Sequence, residues 1–298
     1  MTCSKHELEL IQTKWGFYQY RPLPSDEALQ AYYAEQYFQQ GLGSYAVSYT
    51  DEEKAWFRLR SWLLHEKVRL LRNGKTGGRF LDVGCGEGWL LNEFFDQGYA
   101  VQGLDFSIEG IRKIHPHLLS SFQQGNVYEE LVRILAKREV YDVVAIINVI
   151  EHVKFPDRLL ADLRQVMDEN SILLVFAPND FSLLHAYLEQ EKIISKKWWL
   201  RYPDHLSYFN KESMGNLLED MGLAVQCVVG DHPIDLHLLC EHSNYVEDSS
   251  KGPGTHCYRM RWDNFLAGLD RNKLLSIYET LGSMGVGRNL AYYAMLKK

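Results

Sequence analysis

The run Gly84-Cys85-Gly86-Glu87-Gly88 follows directly on the apolar residues Phe80 to Val83 and opens onto a helical stretch. A glycine-rich turn between a buried strand and a helix lets the backbone bend sharply. It also lets a ligand come close where any Cβ would clash. The first N–H groups of the helix then suit an anionic group. A dinucleotide fingerprint, G-x-G-x-x-G, would need its third glycine at the position held by Trp89, and Asp82 just ahead of the turn is unusual for it. Asp105 closes the next apolar run and offers two acceptor oxygens, enough for both hydroxyls of a ribose. Alone, Asp105 reads equally well as the start of a helix. With the glycine turn at its side, it points to nucleoside binding.

Acid–base candidates come from topology. In an open parallel sheet the ligand sits beyond the carboxyl ends of the strands. His152 follows the fourth apolar run, Asp180 follows the fifth, and His205 stands in Pro-Asp-His-Leu-Ser-Tyr-Phe. Histidine titrates near neutrality. His205 is therefore the first candidate for a general base, with His152 second and Asp180 third; either histidine could instead be structural. Glu151 reads better as a helix-start carboxylate than as a catalyst. Tyr208, His232 and Asp235 are candidates for acceptor binding. His and Cys are frequent between Asp231 and Cys257, but their intervals match no common zinc pattern, so no metal is expected.

The elements that would position these residues alternate. Strands are predicted over 80–83, 100–104, 121–124, 141–147, 172–176, 223–229 and 289–296. Helices are predicted over 90–95, from Ser107 to before Pro116, over 128–136, from Pro156, and over 211–221. Strands and helices joined by short links make a doubly wound parallel sheet of the α/β class. The unbroken apolar run at 141–147 implies a strand buried on both faces. Ahead of the sheet, residues 1–75 read as a helical cap. One helix starts at Ser25 and runs to Phe38 with tyrosines at 32, 33 and 37. A second starts at the capping box Thr50-Asp51-Glu52-Glu53, carries Trp56, Leu59, Leu63 and Leu70 at helical intervals, and stops near Gly74. An aromatic cover spans 181–210. Residues 231–288 form an insertion before the last strand, so that 76–230 is the core and 231–298 completes it.

Leu81 to Gly88 followed by Gly103-Leu-Asp-Phe-Ser107 resembles the class I S-adenosylmethionine-dependent methyltransferases, as do Tyr141 to Val153 and Ala177 to Asp180. The resemblance implies a Rossmann-like seven-stranded sheet over about 79–230 plus the last strand. It implies S-adenosylmethionine as cofactor. Gly84, Gly86 and Gly88 would lie under its methionine part and Asp82 near its ammonium group. Asp105 would hold the ribose, Phe106 would line the adenine pocket, Asn126 and Val127 would face the adenine edge, and Asn148 would lie beside the methionine moiety. Tyr32 to Tyr37, Gly230 to Asp235, Ser243 to Tyr245 and Gly287 to Asn289 further resemble methyltransferases of bacterial surface-polysaccharide and sugar modification. On that resemblance the expected reaction is in-line methyl transfer to a sugar or nucleotide-sugar hydroxyl, with a histidine base. The alternatives are a quinone or natural-product O- or N-methyltransferase and a non-catalytic cofactor-binding scaffold.

Composition bounds the partners. Of 298 residues, 46% are hydrophobic and 24% charged, as in ordinary globular proteins. Lys plus Arg number 32 against 39 Asp plus Glu, a net charge of −7, which counts against a nucleic-acid acceptor. Five scattered cysteines without a C-x-x-C pair suggest free thiols. No apolar run approaches the ~20 residues of a membrane span. The first ten residues lack the apolar stretch of a secretory signal. A cytoplasmic protein with a small-molecule or glycan acceptor is expected, with self-association open.

Overall fold

The structure, a computed structural model, describes residues 8–32 and 48–298. The helix expected from Ser25 to Phe38 is described only as α1 (Asp26–Tyr32); Tyr33 and Tyr37 lie outside the described residues.

A hairpin opens the described chain, β1 (Glu9–Gln12) and β2 (Tyr18–Arg21), and α1 follows. The long helix α2 (Asp51–Leu71) begins at Thr50, whose side chain accepts from the Glu53 N–H while Glu53 reaches back to the Thr50 N–H, the expected capping box. The core then runs β3 (Gly78–Val83), α3 (Trp89–Asp96), β4 (Tyr99–Asp105), α4 (Glu109–Ile114), β5 (Phe122–Gln124), α5 (Val127–Ala136), β6 (Val143–Ile147), α6 (Pro156–Arg164) and β7 (Ile172–Pro178). After α7 (Leu183–Gln190) and the short β8 (Ser207–Tyr208) come α8 (Lys211–Asp220) and β9 (Leu223–Gly230). Three short 3-10 turns lead into α9 (Gly252–Ser283), and β10 (Asn289–Leu296) ends the fold. Asp270 breaks α9 with extended backbone angles.

The seven-stranded sheet has the order β5-β4-β3-β6-β7-β10-β9. Its β3–β4, β4–β5, β3–β6 and β6–β7 pairs are parallel. β10 is the exception to the all-parallel expectation, running antiparallel to both β7 and β9. The chain leaves β9 at the ligand edge, crosses through α9, and re-enters the sheet from that same edge. Side chains alternate as the pleat requires. Leu81, Val83, Val144, Ile146, Leu173 and Val175 pack with Leu131, Leu159, Leu163 and Leu217 on one face. Phe80, Val143, Ala145, Leu174 and Phe176 pack with Leu59, Leu91, Phe94 and Leu274 on the other. Strand order reverses between β3 and β6, which makes their carboxyl ends the switch point where such sheets bind ligands.

Besides its helices, the N-terminal segment contributes the β1–β2 hairpin to a second sheet, β1-β2-β8. The tight turn at Gly16, with φ +92, permits it. Gln19 fastens β2 to the loops around the switch point through Ser207 Oγ (3.0 Å) and the Lys154 carbonyl (3.2 Å). Among the described residues the cysteines are free, and no helix is long and apolar enough to cross a membrane.

Candidate active site at the sheet's switch point

A cavity of about 710 Å³ lies over the carboxyl ends of β3, β4 and β6, within the size range of small-molecule sites. The glycine turn forms part of its floor. Gly84 and Gly88 both have φ +79, and a Cβ on Gly84 would run into Val149 Cγ2. The Gly84 and Cys85 N–H groups donate to the Leu104 carbonyl (2.7 and 2.9 Å), which ties the turn to β4. Trp89, in place of a third glycine, opens α3. Its indole N–H donates to Glu87 (2.8 Å) and its ring stacks on Phe57 of α2.

Asp105 is positioned rather than merely present. Its two oxygens accept the Gly86 N–H (2.8 Å) and the Ser107 N–H (2.9 Å), and each keeps a lone pair for a further donor. Asp82 is buried beneath the turn, and its Oδ1 has no donor. Burial, with the Asp105 charge adding to it, pushes the Asp82 carboxyl up to about 8. An unpartnered buried carboxyl and the open acceptor capacity of Asp105 fit a ligand that brings a cationic group and a pair of hydroxyls.

Gly86, Phe106, Asn126, Val127 and Asn148 also line the cavity, whereas Gly88 does not, its free side facing Ile111 and His115. Asn126 caps α5, its Oδ1 taken by the Tyr128 N–H (2.9 Å), so its amide NH₂ is the polar group left over. Asn148 holds φ 52, a conformation few non-glycine residues adopt, at the end of β6. Its side chain donates to Glu151 (3.2 Å). The sequence reading missed a second wall. Phe57, Arg60, Ser61 and Leu64 of α2 also face the cavity, as do Tyr128 and Arg158. The spacing of Phe57, Arg60, Ser61 and Leu64 on one helical face was the available signal.

Among the acid–base candidates, the structure separates the two histidines. His152 lines the cavity. Its Nδ1 lies 2.6 Å from the Asp204 carbonyl, which can only accept, so Nδ1 donates and Nε2, 3.9 Å from Glu151 Oε1, is the ring nitrogen left for a ligand. His205, the first choice on sequence, packs behind it with ring centroids 4.9 Å apart and does not line the cavity. Burial, with repulsion from His152 next, pushes the His205 imidazole down to about 2. Glu151, His152 and His205 each present one donor atom within 4.8 Å of the others, a grouping that the sequence did not suggest.

Three further expectations change. Asp180 is buried against Arg288 (2.8 Å), and Asp235 lies 3.8 Å from the same guanidinium while accepting from His185 (3.0 Å) and Tyr245 (2.6 Å). Neither faces the cavity. Burial costs Arg288 solvation, but the flanking carboxylates outweigh it and hold the guanidinium above its ordinary value. The two carboxyls respond oppositely: burial raises Asp180, whose Oδ2 has no donor, whereas Arg288, His185 and Tyr245 overcome burial and lower Asp235. Tyr208 is buried too, its hydroxyl donating to the His205 carbonyl (3.0 Å) and accepting from the Arg201 N–H (3.0 Å). His232 lines a separate, smaller recess beyond α2.

Comparison with known proteins agrees with this geometry. A family profile described as a methyltransferase domain matches residues 56–228. A ubiquinone biosynthesis O-methyltransferase of Pasteurella multocida is 33% identical over 112 residues, covering 34% of this chain and 46% of that protein. One from Nitrosospira multiformis is 26% identical over 164 residues, covering 53% and 68%. The chain thus spans about half the length of the first of these relatives and two thirds of the second. Among solved structures, the [4+2]-cyclase SpnF superposes with a TM-score of 0.53 at 16% identity, covering 93% of this chain and 98% of that one, a likeness of fold. The sheet order is that of an S-adenosylmethionine-dependent methyltransferase fold, and the chain belongs to the methyltransferase-domain family.

Proposed function

We propose that this protein transfers a methyl group from S-adenosylmethionine to a phenolic hydroxyl of a small aromatic acceptor. The observation that carries the reading is His152, its Nδ1 held by the Asp204 carbonyl, on the wall of the cavity that the glycine turn and Asp105 also line. Bound there, the cofactor supplies an electrophilic methyl on a sulfonium. The chain's own residues do the rest. Gly84, Gly86 and Asn148 would cradle the amino-acid end, with Asp82 facing the ammonium. Asp105 would take the ribose, and Phe106, Asn126 and Val127 the adenine. His152 would accept the acceptor's proton as the hydroxyl attacks. Alignment of the reactants can contribute roughly 7–11 kcal/mol.

Two facts favour a phenol over the sugar hydroxyl expected from sequence. The relatives are named as O-methyltransferases of ubiquinone biosynthesis. Phe57, Trp89, Phe106, Tyr128 and Phe155 give the cavity an aromatic wall. With labelled S-adenosylmethionine, label is expected in 3,4-dihydroxybenzoate and not in a UDP-hexose. Label in the UDP-hexose alone would restore the carbohydrate reading.

Asp82 gives cofactor binding a pH dependence. Protonated below about pH 8, it must lose its proton to face an ammonium group, so binding releases a proton. Affinity for S-adenosylhomocysteine is expected to rise by up to about tenfold per pH unit between about pH 6 and 8, then level off. Asp82→Asn should flatten the profile. Titration calorimetry showing the same slope in both proteins would remove Asp82 from this role.

A further inference from the structure

The loop ahead of β8 carries a buried carboxylate, Asp204, which meets His152 twice. Its backbone carbonyl takes the Nδ1–H at 2.6 Å. Its side chain reaches the same nitrogen, with Oδ1 3.4 Å from Nδ1, and that oxygen is buried and accepts no hydrogen bond. The other oxygen, Oδ2, faces the Arg201 guanidinium at 3.5 Å and His205 Nε2 at 3.8 Å. A buried acceptor left unmade is costly. Asp204 Oδ1 therefore holds an unfilled place beside a ring that can become a cation.

Other charges reach this ring from several elements. Glu151, its neighbour in the chain, lies 3.9 Å from Nε2, and burial raises its carboxyl. His205 packs behind the ring, is pushed down to about 2 by burial and stays neutral, which leaves the Asp204 charge to His152 and Arg201. Arg201 on the same loop and Arg288 ahead of β10 act on His205, and Asp180 after β7 acts on Glu151. Tyr32 of α1 feels both Asp204 and Arg201. Lys154 and Arg158 line the cavity that His152 faces.

We propose that Asp204 is a positioning residue acting through His152: its carbonyl fixes the ring, and its carboxylate stabilises the imidazolium formed when the ring takes the acceptor's proton. The proposal rests on the methyl-transfer reading only for the source of that proton. As the acceptor O–H bond breaks, its electron pair closes on the methyl carbon and the sulfur keeps the pair of the old bond. The proton arrives at Nε2 and the ring becomes positive. The contact with Oδ1 thus begins as one between a carboxylate and a neutral ring and ends as a buried ion pair. An interaction that strengthens along the reaction lowers the barrier instead of tightening substrate binding.

The test is nuclear magnetic resonance of the histidine ring nitrogens in the full chain, without substrate and in EDTA, comparing the parent with Asp204→Asn. The amide keeps the size and the backbone carbonyl stays, so Nδ1 should still carry a proton while the charge is lost. The His152 titration midpoint is expected to fall by about one pH unit or more, and Asp204→Glu should restore part of it. Thermal melting checks that the variants are folded. If the Asn variant is not, the parent answers alone: its Asp204 carboxyl carbon should show a step at the His152 midpoint, because a charge forms 3.4 Å away. An unchanged midpoint in the folded Asn variant, or a carboxyl carbon without that step, would overturn the assignment. With S-adenosylmethionine and 3,4-dihydroxybenzoate, Asp204→Asn should lower kcat by about tenfold and leave KM nearly unchanged. A change in KM alone would count against a role on the ring's charge. The ring titration needs no turnover, so it separates the two readings. A lowered midpoint in a protein that methylates nothing retains the action of Asp204 on His152 and counts against methyl transfer.

Discussion

Replacing His152 with glutamine is expected to lower kcat by about 10²–10⁴-fold, the range that general-base catalysis supplies. Affinity for S-adenosylhomocysteine should change little. The substitution is chosen for its geometry. A glutamine amide can still donate to the Asp204 carbonyl that now holds Nδ1, so the loop stays fastened while the basic Nε2 is lost. The control is His205→Asn. His205 is buried, stands off the cavity and has its imidazole pushed down to about 2, so it stays neutral across the working pH range and contacts no ligand. Its replacement should leave the pH profile of kcat in place even where stability falls. Single-turnover kinetics with saturating cofactor make the comparison. A His152→Gln enzyme within about threefold of the parent, beside a His205→Asn enzyme that loses activity across pH, would reverse the assignment.

Arg288→Met is expected to destabilise the fold by about 3–5 kcal/mol, since it leaves two buried carboxylates without their cation. At roughly 2–4 °C per kcal/mol for a chain of this size, the melting temperature should fall by about 6–20 °C. Asp180 lies 2.8 Å and Asp235 3.8 Å from the lost charge, both buried. Arg288 stands just ahead of β10, at the edge where that strand enters between β7 and β9. The cluster therefore joins the loop after β7, the turn after β9 and the last strand. Calorimetric scanning gives the shift, and activity measured well below the melt separates structure from catalysis. A shift under about 2 °C would show the pair to be energetically idle. Loss of turnover without loss of stability would return Asp180 to the list of catalytic groups.

Much of the site was legible because its parts are local. Asp82, the three glycines, Asp105 and Asn148 sit at strand ends whose apolar runs are plain in the sequence, and a parallel sheet places such ends side by side. The same logic located β10 but not its direction, because direction depends on how α9 returns the chain. Asp180 satisfied the topological rule and still faces away from the cavity, since a partner from the far end of the chain, Arg288, draws it inward. The hairpin at Glu9–Arg21 escaped because its tyrosines suit a helical core stripe and a strand alike; pairing with Ser207 and Tyr208 decides between them.

By itself, then, the amino-acid sequence determined the class of sheet, its switch-point edge and the glycine turn that lies there. Each follows from hydrophobic period and backbone freedom over a few neighbouring residues. Only the tertiary structure decided which histidine lines the cavity, that Asp180 and Asp235 are ion-paired, and that Arg60 and Arg259 share one indole. Those outcomes depend on burial and on contacts between segments far apart in the chain, and no local pattern encodes which of two similar side chains keeps its access to the cavity.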